Sequence, residues 1–148
     1  NFNKLNDKKC NLNERLNKLG LDPLQDQITF DTFLEKYNKF AKRSKNKLIA
    51  ILLLDQKFIA GIGNYLRSDI LYTANINPQK KLSELSKQKL EDLYNAILKI
   101  MKESYKKQSK DSIHTYNFKI YQRDYTRKGE KVYSYKVKDR TIFTTYKS

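Results

Sequence analysis

The fold of this chain is decided by residues 53–72, which read LLDQKFIAGIGNYLRSDILY. The stretch passes from an apolar run, through a loop with Gly61 and Gly63, into a segment whose apolar residues recur at helical spacing. Glycine lets the backbone approach a ligand closely and adopt positive φ, and the first turn of a helix offers free amides and a partial positive charge. Gly63 and Asn64 are therefore candidates to bind one phosphate, with the Asn64 side chain as an added donor. An ordinary glycine turn between two elements is the alternative.

Helical spacing extends on both sides of this stretch. Upstream, the LDPL sequence at 21–24 predicts a turn, and Thr29 or Asp31 is expected to cap a helix. The apolar run at 48–54 fits either a buried strand or a buried short helix. Downstream, residues 75–78 end the helix that starts near Asn64, and Ser86 caps a long helix that runs to about Lys107. We expect residues 106–112 to form a linker.

After Thr115 the pattern changes to alternation of apolar and polar residues, which predicts two or three short antiparallel strands. Residues 127–130 (RKGE) supply a turn, and Asp139-Arg140 is expected at the tip of a hairpin. An arginine at such a tip can hold a phosphate with its planar fork; an exposed arginine with no role is the alternative. The predicted fold class is therefore mainly α, a bundle of four to five helices followed by a small antiparallel β-hairpin.

Charge favours a polyanion as the partner. Lysine and arginine number 31 against 16 acidic residues, a net charge of +15, and such an excess attracts nucleic acid. A lysine-rich composition without a binding role and a basic membrane-surface protein are the alternatives. No stretch approaches the about 20 apolar residues of a membrane span, and residues 1–16 do not look like a secretory signal. With a single cysteine, these features predict an intracellular protein, in the nucleus or the cytoplasm.

Few residues offer metal or nucleophilic chemistry. Cys10 and His114 are the only residues of their types, which excludes a disulfide framework and makes a metal cluster or a catalytic triad unfavourable. The glycine pattern lacks the third glycine of a dinucleotide fingerprint, and no Gly-Lys-Ser or Gly-Lys-Thr follows it. We therefore predict no catalytic triad, no metal site and no cofactor in this chain.

Several motifs, in their order and spacing, resemble the formamidopyrimidine-DNA glycosylase and endonuclease VIII family. They are LDPL at 21–24, the stretch at 53–72, INP at 76–78 and LSEL at 82–85. The run at 61–72 is most similar to endonuclease VIII-like members. The resemblance implies a helix-two-turn-helix DNA-binding domain at 20–112 and a zincless finger β-hairpin at 113–148. Residues 1–19 would be a linker or the end of a catalytic half.

The resemblance also implies roles for two residues. Asn64 matches the family's asparagine after Gly-Ile-Gly, and Arg140 matches the arginine at the tip of the finger; both bind a DNA phosphate at the lesion. Zinc-bearing members have four cysteines in the finger, and no thiolate is present at the matching positions, which are Val132, Tyr135, Thr145 and Ser148. The implied finger is therefore zincless, with packing by Tyr133, Tyr135 and Phe143 in place of the metal.

The family's catalytic residues, an N-terminal proline amine, a glutamate and a lysine, have no counterpart here. The chain starts NFN, and Pro23 and Pro78 are internal. The resemblance thus implies the DNA-binding half of a base-excision DNA glycosylase/AP lyase for oxidised bases, with the catalytic half upstream. Its partner would be double-stranded DNA with a damaged base or abasic site, bound by a monomer without a membrane. A stand-alone DNA-binding module that has lost the catalytic domain is the alternative, and a ribosome-associated or membrane-surface protein is a third.

Overall fold

Four α-helices and one β-hairpin make up residues 20–23, 27–110 and 118–147, the part of the chain that the computed structural model describes. The helices are α1 (Phe30–Arg43), α2 (Ile49–Leu52), α3 (Asn64–Thr73) and α4 (Lys87–Lys110), with a short 3-10 helix at Leu82–Glu84. Strands β1 (Tyr133–Val137) and β2 (Arg140–Thr144) form the hairpin. The mainly helical fold with a C-terminal hairpin is confirmed. Cys10 and His114 lie outside the described residues.

Local capping starts two of the helices. The Thr29 hydroxyl accepts a hydrogen bond from the Thr32 amide at 3.2 Å, so Thr29 is the N-cap of α1 and Asp31 lies inside the first turn. The Ser86 hydroxyl accepts a hydrogen bond from the Lys89 amide at 3.2 Å, as predicted for the start of α4. Each cap satisfies one of the amides that a helix N-terminus leaves without a partner.

The apolar run at 48–54 contains α2, a helix of four residues, rather than a strand. The Ile49 amide donates to the carbonyl of Lys80 at 2.8 Å, which ties the start of α2 to the segment before the 3-10 helix. One turn of helix leaves its last carbonyls without intrahelical partners. The Ala50 carbonyl is used by another side chain, described below.

α3 is the central element of the fold, because it packs against α4 and also against β2. Its apolar side chains and those of α1, α2 and α4 form one core, which reaches the hairpin through Val137 and Ile142. Leu21 is fully buried in this core. Its amide donates to the carbonyl of Phe58 at 3.0 Å, which holds the first described segment against the loop before α3.

The hairpin turns one residue earlier than predicted. Lys138 and Asp139 form the two-residue turn, with Lys138 at φ 58°, and Arg140 is the first residue of β2, paired with Val137. Positive φ is usual in two-residue hairpin turns. The register buries Ile142 completely, and a shift of one residue would turn that side chain to solvent.

Two further predictions were wrong in their boundaries. The linker expected at 106–112 is helical up to Lys110, because lysine and glutamine are good helix formers even without an apolar face. Phe118 and Ile120 alternate as in a strand, but they lie in a bend with no ladder partner among the described residues. The backbone amides of this bend are bound by a helix side chain instead.

Candidate nucleic-acid interface

The loop before α3 needs its two glycines for different reasons. Gly61 has φ +90°, a conformation that favours glycine, whereas Gly63 has an extended backbone at φ −90°. A Cβ at Gly63 would lie 2.9 Å from Cε1 of Tyr65, so the constraint there is the close approach of the tyrosine ring. The Gln56 side chain accepts a hydrogen bond from the Gly61 amide at 3.2 Å and steadies the loop. Gly63 is thereby set as the N-cap of α3.

Asn64, the first residue of α3, joins the helix to the hairpin. Its Nδ2 donates to the carbonyl of Thr141 on β2 at 3.0 Å. Its Oδ1 accepts a hydrogen bond from Nη2 of Arg67 at 2.5 Å. The side-chain amide nitrogen of an asparagine carries two hydrogens, and the bond to Thr141 uses one of them. One donor of Asn64 therefore remains for a ligand.

Arg67 is a buried cation beside this amide. The side chain is 1% exposed, and its Nη1 donates to the Ala50 carbonyl at 2.7 Å. Nε is buried without a hydrogen-bond partner in the described part of the chain. Burial, and then the charge of Arg140, lowers the pKa of Arg67 to about 10. The two acceptors of Arg67, from Ala50 and Asn64, are neutral oxygens, so neither compensates its charge.

Arg140 lies at the same place, although it is 76 residues from Asn64 in sequence (140 − 64). It is exposed and directly precedes Thr141, whose carbonyl binds Asn64. Its positive charge is the second cause, after burial, of the lowered pKa of Arg67. The structure thus brings together Gly63, Asn64 and Arg140, the three residues that the sequence predicted to bind phosphate.

The first turn of α3 holds no acidic residue, and its free amides add a partial positive charge at this point. Sequence reasoning missed Arg67, which it treated only as part of the motif. The available signal is its position three residues after Asn64, which places both side chains on one face of the helix.

One side of α3 binds residues 118–147, the hairpin segment, through a series of polar contacts. The Ser68 hydroxyl accepts a hydrogen bond from the Phe143 amide at 3.1 Å, and the Tyr72 hydroxyl donates to Glu130 at 3.1 Å. Beyond the helix end, the Tyr146 hydroxyl donates to the Asn75 side chain at 2.7 Å. With Asn64, these contacts repeat at intervals of about one helical turn, so they all lie along one side of the helix.

Asp69, next along α3, is fully buried, with 0% exposure. It accepts hydrogen bonds from three successive backbone amides, those of Lys119 at 2.9 Å, Ile120 at 3.0 Å and Tyr121 at 3.3 Å. Amides that point at one carboxylate satisfy its charge where water is excluded. The bend at 119–121 is therefore pinned to the middle of α3.

Aromatic rings fill the space between α3 and β2. Tyr65, Phe118, Tyr121 and Phe143 form an edge-to-face cluster, with 5.1 Å between the ring centroids of Tyr121 and Phe143. Of the three residues predicted to pack the finger, Phe143 joins this cluster and Tyr135 packs against the main core. Tyr133 instead lies under the ammonium of Lys131, with 5.5 Å from Nζ to the ring centroid.

The predicted zinc-ligand positions can be placed in part. Val132 precedes β1, Tyr135 lies within it and Thr145 follows β2, whereas Ser148 lies outside the described residues. Among the residues that the structure describes, no group of histidine, cysteine and acidic side chains has the arrangement of a metal site. Likewise, no helix in those ranges is long and apolar enough to cross a membrane.

Residues 19–116, well over half of the chain, match the family model of the formamidopyrimidine-DNA glycosylase H2TH domain. The chain belongs to this family. The H2TH match contains α1 to α4, with Asn64 and Arg67, and it ends before the hairpin with Arg140.

Curated relatives of this H2TH chain include both branches that the motifs resemble. It is 34% identical to Endonuclease 8 of Enterobacter sp. (strain 638) over 114 residues, which are 74% of the chain and 43% of the relative. It is 37% identical to the formamidopyrimidine-DNA glycosylase of Carboxydothermus hydrogenoformans over 84 residues, 57% of the chain and 30% of the relative. The chain thus spans less than half the length of these relatives.

Solved structures share the fold at low sequence identity. MutM in complex with DNA that contains carbocyclic 8-oxo-G superposes with a TM-score of 0.72 at 22% identity, over 94% of this chain and 52% of MutM. Lactococcus lactis Fpg with abasic-site DNA superposes with a TM-score of 0.71 at 24% identity, over 94% of this chain and 54% of Fpg. A viral DNA glycosylase superposes with a TM-score of 0.71 at 21% identity, over 93% of this chain and 51% of the glycosylase. These matches include the hairpin as well as the H2TH helices.

Proposed function

We propose that this chain is the DNA-binding half of a base-excision repair DNA glycosylase/AP lyase that acts on oxidised bases in duplex DNA. Its family membership and the names of its relatives, Endonuclease 8 and formamidopyrimidine-DNA glycosylase, support this function. The chain itself would bind duplex DNA at a damaged base or abasic site, as a monomer. The nucleus or the cytoplasm, wherever the DNA is, would be its compartment.

The observation that carries the proposal is the cationic site at the start of α3. A buried charge without an opposite charge is costly, and Arg67 is 1% exposed with two neutral acceptors. Arg140 and the helix N-terminus add positive charge at the same place. An anion would relieve this imbalance, and a DNA phosphate offers oxygens for the donors of Asn64, Gly63 and Arg140. Phosphate contacts hold a duplex in register without reading its sequence.

Binding of a fluorescent abasic-site duplex tests the site. We expect Asn64→Ala and Arg140→Ala each to weaken binding by about 1–3 kcal/mol, the range for a hydrogen bond to a charged group. This is about a 5- to 150-fold rise in Kd. Asn95→Ala on the exposed side of α4 and Arg127→Ala in the turn at 127–130 are matched controls, and both should bind as the unaltered chain does. Full-strength binding by both Asn64→Ala and Arg140→Ala would reject the site.

Salt dependence tests whether phosphates dominate the affinity. The logarithm of the binding constant should fall linearly with the logarithm of salt concentration, because each neutralised phosphate releases counterions. The Arg140→Ala variant should show a shallower slope, by about one unit of released charge. An affinity independent of salt would contradict a phosphate-binding role.

Borohydride trapping on an abasic duplex tests the chemistry of the whole protein, with the product of the complete reading frame. A lyase of this kind forms a Schiff base between an amine and the abasic sugar, and reduction makes the link permanent. A covalent complex through a peptide upstream of residue 1 would establish a glycosylase/lyase. Duplex binding without a covalent complex would instead identify a DNA-binding module without its own chemistry.

A further inference from the structure

We propose that Arg67 is a positioning residue that fixes the orientation of the Asn64 amide, so that its NH2 group is presented to a DNA phosphate. The inference rests on the proposed function and adds a role to a residue behind the surface. Asn64 and Arg140 would contact the phosphate themselves. Arg67, buried beneath them, would act on the ligand through Asn64.

The two hydrogen bonds of Asn64 admit one orientation of its amide. Oδ1 faces Nη2 of Arg67, which is a donor, and Nδ2 faces the carbonyl of Thr141, which is an acceptor. A rotation of 180° would place the NH2 group against the guanidinium and Oδ1 against the carbonyl. One contact would then place a donor against a donor and the other an acceptor against an acceptor, because a guanidinium has no acceptor and a carbonyl has no donor. The guanidinium and the Thr141 carbonyl therefore together select the orientation that leaves a donor for the phosphate.

Arginine suits this position for a geometric reason. Nη1 is held by the Ala50 carbonyl at 2.7 Å while Nη2 binds Asn64. The planar fork delivers two donors at a fixed angle, whereas an ammonium on a flexible stem is a point charge. α2 thus serves as the anchor of Arg67, since its single turn leaves the Ala50 carbonyl available. The bond to Ala50 is buried, and the bond to Asn64 is partly buried.

The charge of Arg67 strengthens the site when the phosphate is bound. Burial and the neighbouring Arg140 already lower the pKa of Arg67 in the free protein. A phosphate at Asn64 would bring the missing negative charge close to both arginines. The same side chain would thus hold the amide before binding and stabilise the anion afterwards.

The first test needs no DNA and follows the side-chain amide of Asn64 by NMR. We expect Arg67→Lys to accelerate exchange with water of the one Asn64 Nδ2 hydrogen that is bonded to Thr141, by at least about 10-fold. Loss of the bond to Oδ1 frees the side-chain amide to rotate, and a hydrogen bond to a charged group is worth that factor. Arg123→Lys is the matched control, since Arg123 also donates to backbone carbonyls, those of Phe118 and Tyr125. It should leave the Asn64 exchange rate unchanged. Unchanged exchange in Arg67→Lys would overturn the positioning role.

The second test identifies the phosphate with methylphosphonates, which remove one backbone charge at a time from an abasic-site duplex. One position should weaken binding most in the unaltered chain and clearly less in Asn64→Ala, in which the donors of Gly63 and Arg140 remain. We expect Arg67→Lys, which keeps the positive charge, to show the same reduced sensitivity at that position. Addition of Arg67→Lys to Asn64→Ala should change Kd by less than about twofold, as expected for residues that act as a unit.

The outcomes separate this inference from the proposed function. Failure of the unaltered chain to bind the duplex would refute the proposed function, while the NMR result would still decide whether Arg67 holds the amide. Binding with full methylphosphonate sensitivity in Arg67→Lys would refute the positioning role alone. Circular dichroism of Arg67→Lys checks that the helices persist, and Arg67→Gln, which retains a side-chain donor without the charge, serves if Arg67→Lys does not fold.

Discussion

Removal of the Asp69 carboxylate should release the hairpin segment from α3. The carboxylate is fully buried and accepts three backbone hydrogen bonds, from the amides of Lys119, Ile120 and Tyr121. Asp69→Ala would leave three amides without acceptors where water has little access. A buried donor left without an acceptor costs about 1–3 kcal/mol, and three such donors in one bend that can partly relax cost about 3–5 kcal/mol together. We expect Asp69→Ala to lower the free energy of unfolding by that amount.

Asp69→Asn should fall between the unaltered chain and Asp69→Ala. Its one remaining carbonyl oxygen can replace Oδ1, which accepts from Ile120 and Tyr121. The amide nitrogen then faces the donor of Lys119, so one charge-assisted bond is lost at a cost of about 1.5–3 kcal/mol. Glu91→Gln on the exposed side of α4 is the matched control, because it removes an acidic charge at the surface. Its effect should stay within about 0.5 kcal/mol.

Urea unfolding and hydrogen exchange measure the effect of Asp69 at two levels. Urea titration gives the free energy of unfolding by linear extrapolation. Hydrogen exchange measures the protection of the individual backbone amides of residues 119–121. In Asp69→Ala these amides should lose protection before those in the core of α4 do. A free energy of unfolding for Asp69→Ala within 0.5 kcal/mol of the unaltered chain, with these amides still protected, would refute the reasoning.

The remaining predictions concern backbone strain, a buried phenol and metal. Gly61→Ala should destabilise the chain by about 1–3 kcal/mol, and by more than Gly129→Ala does, as measured by thermal melting. Both glycines have positive φ, but a Cβ at Gly61 would lie 3.1 Å from Met101, whereas a Cβ at Gly129 would have no neighbour within 4 Å. Tyr37→Phe should cost about 1–2 kcal/mol, because the phenol donates to the Leu82 carbonyl at 2.6 Å inside the core. Burial raises the pKa of Tyr37. The stability that its neutral phenol contributes is therefore present below the unfolded pKa of about 10 and is lost as pH rises above it. Tyr37→Phe should make the free energy of unfolding fall less steeply with pH in alkaline urea titrations. A chelator should change neither the circular dichroism spectrum nor duplex binding, and a loss of either would reveal a structural metal.

Sequence alone determined the elements that depend on spacing and on neighbouring residues. Apolar residues at helical intervals predicted α1, α3 and α4, and the caps Thr29 and Ser86 lie three residues before the amides that they bind. Alternation predicted the hairpin, and the motif at 53–72 indicated the family. Asn64 and Arg140 were also predicted from sequence to bind phosphate, because each occupies a recognisable position in a motif.

Only the tertiary structure decided which distant residues meet. The hydrogen bond from Asn64 to Thr141 and those from residues 119–121 to Asp69 join segments that no local pattern relates. The boundaries also depended on packing, since burial of Ile142 set the hairpin register and moved Arg140 off the turn.

The burial of Arg67 is the clearest example of a feature that only the tertiary structure decided. An arginine in a helix reads as a surface residue in sequence, and only the approach of α2, with the Ala50 carbonyl, encloses it. Helical periodicity is a short-range property of the chain, whereas the partners of a buried polar group are set by how the elements pack. The sequence therefore predicts the groups at the surface of the proposed phosphate site, and the fold determines the buried cation beneath them.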